Sequence, residues 1–478
     1  MHLKEKMFSK ASLITADYSF SLPFISFISS MKDLTTGSEG KLIFYFAVPM
    51  LIGNIFQQLF NIIDSIIVGN FIGKEALAAV GASFPIIFIL VSLIIGMVMG
   101  TTVVISQYFG AGELAKVKVA IDTMYIYTFF ASIILSIVGL AFSEPLLRLL
   151  RLPEELIPPA LQYMRIYIGG IILIFGYSGT SAALRGLGDS KTPLYFLIVA
   201  IILNIILVIV FVTVFKWGVA GAAFATVISN GVAFVLAVLY LNRTHKVFKL
   251  KINDIHFDKD VFLQSMRIGL PNGIQQTFLA LGGLALIGLI NGFGTDVIAG
   301  YTIASRLDSL ATVPPMSFSS ALSAFTGQNI GANKPERIKS GLASTMKMMT
   351  SVTIVMTLFI VLTSRQLLRL FTRENEVINY GAQFLMIVSP FYLILTLMFI
   401  YTGVMRGAGD SIVPMLISLA SLWLIRIPLA YIISDKFGVT GIWWAIPAGW
   451  MVGLILSYSY YKTGRWKKKK VVKYIEEF

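Results

Sequence analysis

Polar residues are sparse along most of this chain, and the apolar runs between them are long. Twelve such runs span approximately 42–69, 76–108, 119–142, 156–183, 192–215, 218–241, 262–291, 297–329, 341–363, 377–404, 412–433 and 438–461. Each is long enough to cross a hydrocarbon layer about 30 Å thick as a single helix. The breaks between them are short, so no soluble domain is left over, and the pattern predicts an all-α integral membrane protein with twelve transmembrane helices. A composition of 56% hydrophobic and 13% charged residues agrees with that reading.

The pattern occurs twice. RGLGDSKTP from Arg185 returns as RGAGDSIVP from Arg406, and Pro49 pairs with Pro271. QYFGAG from Gln107 pairs with QNIGAN from Gln328, and WGVAG from Trp217 with FGVTG from Phe437, all at offsets of 220 to 222. Six spans per half is an even number, so both halves enter the membrane from the same side and the repeats are parallel, related by an axis along the membrane normal. The expected organisation is a cytoplasmic tail over 1–39, an N-lobe over 40–242, a cytoplasmic linker over 243–261, a C-lobe over 262–461 and a basic cytoplasmic tail over 462–478. Residues 1–30 hold a short apolar patch, Leu22 to Ile28, but no span; they are expected to be a flexible extension or an upstream start, with Met31 as the natural one.

A net charge of +14 raises the question of nucleic acid, which the distribution answers. The tails and even-numbered loops carry about three times as many Lys and Arg as the odd-numbered loops. That is the positive-inside pattern, and it expects both termini in the cytoplasm. The run Trp466–Lys470 is expected to rest on anionic headgroups, and the partners are membrane lipids and not nucleic acid. With no cysteine, and with His2, His245 and His256 all outside the spans, the sequence offers neither thiol chemistry nor an intramembrane histidine metal centre. An enzyme, a bound cofactor and an oligomer are not expected.

Within the first span Asn54, Gln57, Gln58, Asn61, Asp64 and Ser65 recur at spacings that place them on one helical face. A carboxylate in a bilayer costs at least about 2.5–3.5 kcal/mol on insertion scales, and such groups mark ion or substrate paths. Asp64 is therefore the leading candidate for cation coupling, by a proton or by a sodium ion among oxygen ligands. Pro49, earlier in the same helix, removes a backbone hydrogen bond and favours a kink. The equivalent helix of the second half has Asn272, Gln275, Gln276 and Thr277 but no acid, so Gln275 and Gln276 become candidate substrate contacts. Gly282, Gly283 and Gly288 suggest close helix packing there. The C-lobe's own membrane charges are Arg306, Asp308 and Arg426, with Asp308 a second coupling candidate. In the RGxGD loops the glycines suit a tight turn, and Arg185 and Asp189 suit mutual pairing or helix capping.

The stretch KDLTTGSEGKLIFYFAVPMLIGNIFQQLFNIIDSIIVGNFIGKEALAAVGAS, with the doubled RGxGD and GVxG motifs, resembles the multidrug and toxic compound extrusion (MATE) family over about residues 31 to 465. The resemblance implies a V-shaped pair of six-helix lobes around a central cleft in the plasma membrane, exporting organic cations and amphipathic drugs against protons or sodium. The seventh span lacks an acid, which is closer to the DinF-like branch. That branch's N-lobe site falls on Asp64 with Gln57, Asn61, Asn204 and Thr226, and its bending proline on Pro49. Val208 stands where family members commonly carry a second aspartate, so Asp64 acts alone or with a group such as Asp308. A flippase for lipid-linked oligosaccharides or peptidoglycan precursors, from the same superfamily, is the alternative activity.

Overall fold

The computed structural model describes residues 33–149, 152–244, 249–250 and 254–472, and the expectation for residues 1–30 lies outside them. Among the described residues there is no strand. The first half comprises α1 (Glu39–Phe71), α2 (Lys74–Gly110), α3 (Leu114–Leu149), α4 (Ile157–Gly169), α5 (Ile171–Gly186), α6 (Lys191–Ile209) and α7 (Gly218–Thr244). The second comprises α8 (Lys259–Ile290), α9 (Thr295–Gly331), α10 (Pro335–Arg369), α11 (Asn375–Val388), α12 (Tyr392–Gly407), α13 (Ile412–Leu419), α14 (Ile427–Phe437) and α15 (Val439–Thr463).

Ten spans are long and apolar enough to cross a membrane as they stand, and α4 with α5, bent by 48°, forms an eleventh. The twelfth is α9. It is 37 residues long like its counterpart α2, but carries Arg306, Asp308 and a run of Ser and Thr along its length. The chain thus follows the twelve apolar runs closely. It departs from them by breaking the fourth span at Gly170 and passing through a 3₁₀ turn, Ser389–Phe391, in the tenth. Each break falls where the sequence carries a helix-weakening pair, Gly169-Gly170 and Ser389-Pro390. Pro49 and Pro271 interrupt nothing: α1 and α8 run continuously through them.

Two helices carry π-helical inserts, Val210–Val214 after α6 and Ala420–Arg426 between α13 and α14. Burial reveals what the second one does. Ala200 and Ile201 match Ser421 and Leu422 at an offset of 221, whereas Val208 and Val212 match Ala430 and Ser434 at 222. One extra residue has been absorbed within a single turn.

The halves meet along α2 and α8, with α9 against α1 and α2. Here the helices touch backbone to backbone, because a Cβ added at Gly96 or Gly100 would land on the main chain of Gly273, Gly269 or Ser265. Of the glycines expected to pack closely, Gly282 meets Leu422, while Gly283 and Gly288 face open space. The close seam therefore lies nearer the start of α8 than those three glycines suggest. The polar contacts between halves farthest from the chain ends are Asn54 Nδ2 to Ser317 Oγ at 3.0 Å and Ser92 Oγ to Thr277 Oγ1 at 2.7 Å. Beyond them α1 exposes Ile55, Phe56, Leu59 and Ile62, and among the described residues no further hydrogen bond joins the halves on the side opposite the chain ends.

Candidate functional site

Past that point α1 carries its polar face. Gln57 and Asn61 are exposed, the Asn61 carbonyl accepting from Ser65 Oγ at 2.8 Å. One turn further, Asp64 is turned inward: its Oδ1 is buried and has no hydrogen-bond partner. Tyr163 on α4 is buried and stacked on Tyr167 at 6.1 Å between centroids. The neighbours of Asp64 on α1 account for its position. Ile63 and Ile67 pack with Val208, Phe211, Val212 and Ala225, a cluster that anchors α1 to α6 and α7. Val208 is fully buried in it, so an apolar contact occupies the place of the family's second acid.

Asn204 and Thr226 are brought together: Asn204 Nδ2 donates to Thr226 Oγ1 at 3.2 Å, and Thr226 Oγ1 donates to the Ala222 carbonyl at 3.1 Å. No hydrogen bond joins this pair to Asp64 among the described residues. The α8 glutamines sit differently from those of α1. Gln275 is buried, donating from Nε2 to Ser418 Oγ at 2.5 Å and accepting from Arg406 Nη2 at 2.8 Å, while Gln276 is half-buried. Gln275 thus holds the arginine of the second RGxGD motif in place.

The C-lobe acid has a richer setting. Tyr392 OH donates to Asp308 Oδ1 at 2.8 Å, and the guanidinium of Arg426 and the ring of Tyr301 lie within range of its charge. Arg426 leaves its bulged turn beside Gly449, with Nε buried and without a hydrogen-bond partner. It points into the bundle. Tyr301 and Tyr392 were not selectable from sequence, because aromatic residues on apolar helices are ordinary core positions; only depth-matched pairing with Asp308 would single them out.

In the loops, Asp189 caps α6 through the amides of Lys191 and Thr192 at 3.1 and 3.0 Å and the Thr192 hydroxyl at 2.5 Å. Burial holds this carboxyl above its ordinary range, the Thr192 bonds pulling the other way. Asp410 accepts from Tyr460 OH at 2.6 Å. Both acids work as caps, and neither pairs with its motif's arginine. Among the described residues no three His, Cys, Asp or Glu side chains group together as a metal site would require.

A duplicated helical bundle with an unsatisfied carboxylate on the first helix of one lobe is the construction of a membrane transporter. The chain matches the MatE family over residues 49–210 and 271–432, and it belongs to that family, the MATE transporters. It is 32% identical over 440 residues to the probable multidrug resistance protein YpnP of Bacillus subtilis, covering 92% of this chain and 98% of that one. Similarity to YoeA of the same organism, also named a probable multidrug resistance protein, is again 32%, over 90% of this chain and 95% of that one. The fold matches a crystal structure of MATE in the bent conformation with a TM-score of 0.86 at 24% identity, covering 93% of this chain and all of that one.

Proposed function

We propose that this transporter exports organic cations and amphipathic drugs across the plasma membrane by antiport, with Asp64 as the coupling carboxylate and both termini cytoplasmic. The observation that carries the reading is the buried, partnerless Oδ1 of Asp64. Leaving a buried acceptor without a donor costs about 1–3 kcal/mol, more when charged, so the group is suited to a state in which something binds it. Between the two coupling ions the surroundings favour a proton. Sodium needs several oxygen ligands, whereas Val208 and its apolar neighbours close the side from which a second carboxylate would reach.

In the proposed cycle the lobes rock about the α2–α8 seam. With the outer side open, the cationic drug leaves from the cleft lined by Gln57 and Asn61 as a proton reaches Asp64, and the neutral carboxylic acid then permits the lobes to close outside and open inside. Loss of that proton to the cytoplasm restores the anion, which attracts the next cation. The missing acid in α8 supports a place nearer the DinF-like branch. The names of the Bacillus relatives support drugs as cargo.

The test is uptake of a cationic dye into everted vesicles, whose lumen corresponds to the cell exterior, under proton and sodium gradients imposed separately. A proton gradient should drive transport in the wild type and not in Asp64→Asn, which still inserts and folds. Wild-type rates in Asp64→Asn would overturn the role of the residue, and transport by sodium alone would overturn the choice of ion.

A further inference from the structure

The QYFGAG and QNIGAN repeats have no part in the proposed cation site, yet their glutamines are fully buried at the end of the molecule that holds the chain termini. Gln107, on α2, donates from Nε2 to the carbonyl of Gly407 in the opposite half at 3.0 Å. Gln328, at the matching position of α9, donates from Nε2 to the carbonyl of Gly186 in the first half at 3.2 Å. Those two carbonyls belong to the second residues of the two RGxGD motifs. Each glutamine's oxygen is used as well, by a chain end: Gln107 Oε1 accepts from the amide of Val471 at 2.7 Å and Gln328 Oε1 from the amide of Leu34 at 3.0 Å.

The chain ends are firmly seated where they do this. Leu34 is fully buried in the cluster that holds Phe318, Phe325 and Met405, and its carbonyl accepts from Asn329 Nδ2 at 3.1 Å. Lys334 Nζ bonds the Thr35 carbonyl at 2.8 Å, and Arg337 pairs with Glu39 at 3.0 Å. At the other end Trp466 is buried in the same cluster, stacked on Tyr461 at 5.4 Å, and Val472 is buried beyond it. Gly110 and Gly331, each three residues past its glutamine, press on the backbone of the opposite glutamine, so the two helix ends lie together without side chains between them.

We propose that Gln107 and Gln328 are a symmetric pair of latches closing the gate between the lobes on the side of the chain ends, with the RGxGD glycine carbonyls as their catches and the segments at 33–35 and 465–472 as their locks. The inference rests on the rocking-lobe reading above. To open this side, each amide must give up a bond across the lobes, and a buried amide stripped of its partner is costly until water reaches it. Trp466 is stacked on Tyr461 of the C-lobe while Val471 is tied to Gln107 of the N-lobe, so opening must also release Val471. The doubled RGxGD motif thereby gains a role that helix capping leaves unexplained.

The chain contains no cysteine, so spin labels can be placed without background. One labelled pair, at the exposed positions Ala115→Cys and Glu336→Cys, reports the latch side; a second, at Asn70→Cys and Asn291→Cys, reports the opposite side. In the full-length protein in lipid nanodiscs, Gln107→Met, Gln328→Met and a chain ending at Lys470 should each raise the population with a long latch-side distance several-fold. The opposite-side distance should shorten in step, a reciprocal change that loosened packing alone would not produce. Wild-type distance distributions in all variants would overturn the latch. Whether the wild-type pairs themselves respond to pH reports separately on the rocking-lobe reading.

Discussion

Apart from Asp122, which Lys118 pairs near the start of α3, each lobe keeps one acid within its bundle, and the two lobes keep it in different places. In the N-lobe it is Asp64 on the first helix; the Pro49–Pro271 register sets Leu286, 2% exposed, opposite it. In the C-lobe it is Asp308 on the second helix, and the matching residue of α2 is Ile87, 6% exposed. The surroundings differ too: Asp308 has a tyrosine donor and a guanidinium nearby, while Asp64 has a buried oxygen with no donor. Duplication copied the scaffold of helices, and the chemistry then settled on one side. A charge balanced inside its lobe supports structure, and one left open is available for exchange.

The strongest way to break this contrast is to neutralise each acid in turn. Asp64→Asn should lose gradient-driven dye transport entirely, whereas Asp308→Asn should keep most of it; equal losses would mean that both lobes couple. Next in size is Val208→Asp, which puts a second acid into the cluster of Ile67, Phe211 and Ala225. It should destabilise the detergent-solubilised protein by about 3 kcal/mol in thermal unfolding; an unchanged midpoint would show that the N-lobe accommodates two carboxylates. Arg426→Met, leaving Asp308 without its nearby cation, should cost about 1–3 kcal/mol, with part recovered in the Arg426→Met/Asp308→Asn double variant. The smallest contrast compares neighbours on α8. Gly282→Ala forces Leu422 aside and should lower the melting temperature, while Gly283→Ala, with open space around it, should raise it slightly, by about 0.5–1 kcal/mol in stability.

The spans were legible because a membrane helix must hide its backbone hydrogen bonds in about twenty apolar residues, a signal that survives in one sequence. Asp64 was legible for the complementary reason, since a charge there is conspicuous. What escaped depends on pairing across the fold. Nothing local distinguishes Gly269 and Gly273, which meet Gly96 across the seam, from Gly283 and Gly288, which meet nothing. Gln275 had the chemistry of a cleft contact, but its partners Ser418 and Arg406 lie more than a hundred residues away. Trp466, read with its lysines as a headgroup anchor, is instead drawn beneath Tyr461 into the cluster near the chain ends, leaving Lys467 and Lys468 exposed.

The π-helical turn at Ala420–Arg426 shows how such asymmetry arises without disturbing the fold. An extra residue in a regular helix would swing everything after it by about 100°, exposing one face and burying another. Here the excess is confined to a single wide turn, and Ala430 and Ser434 keep the seats that Val208 and Val212 occupy in the first half. Only the widened turn itself is re-addressed, and Arg426 is its last residue. Both halves carry such a turn, at different positions along matching helices, and the two bundles thereby acquire different interiors.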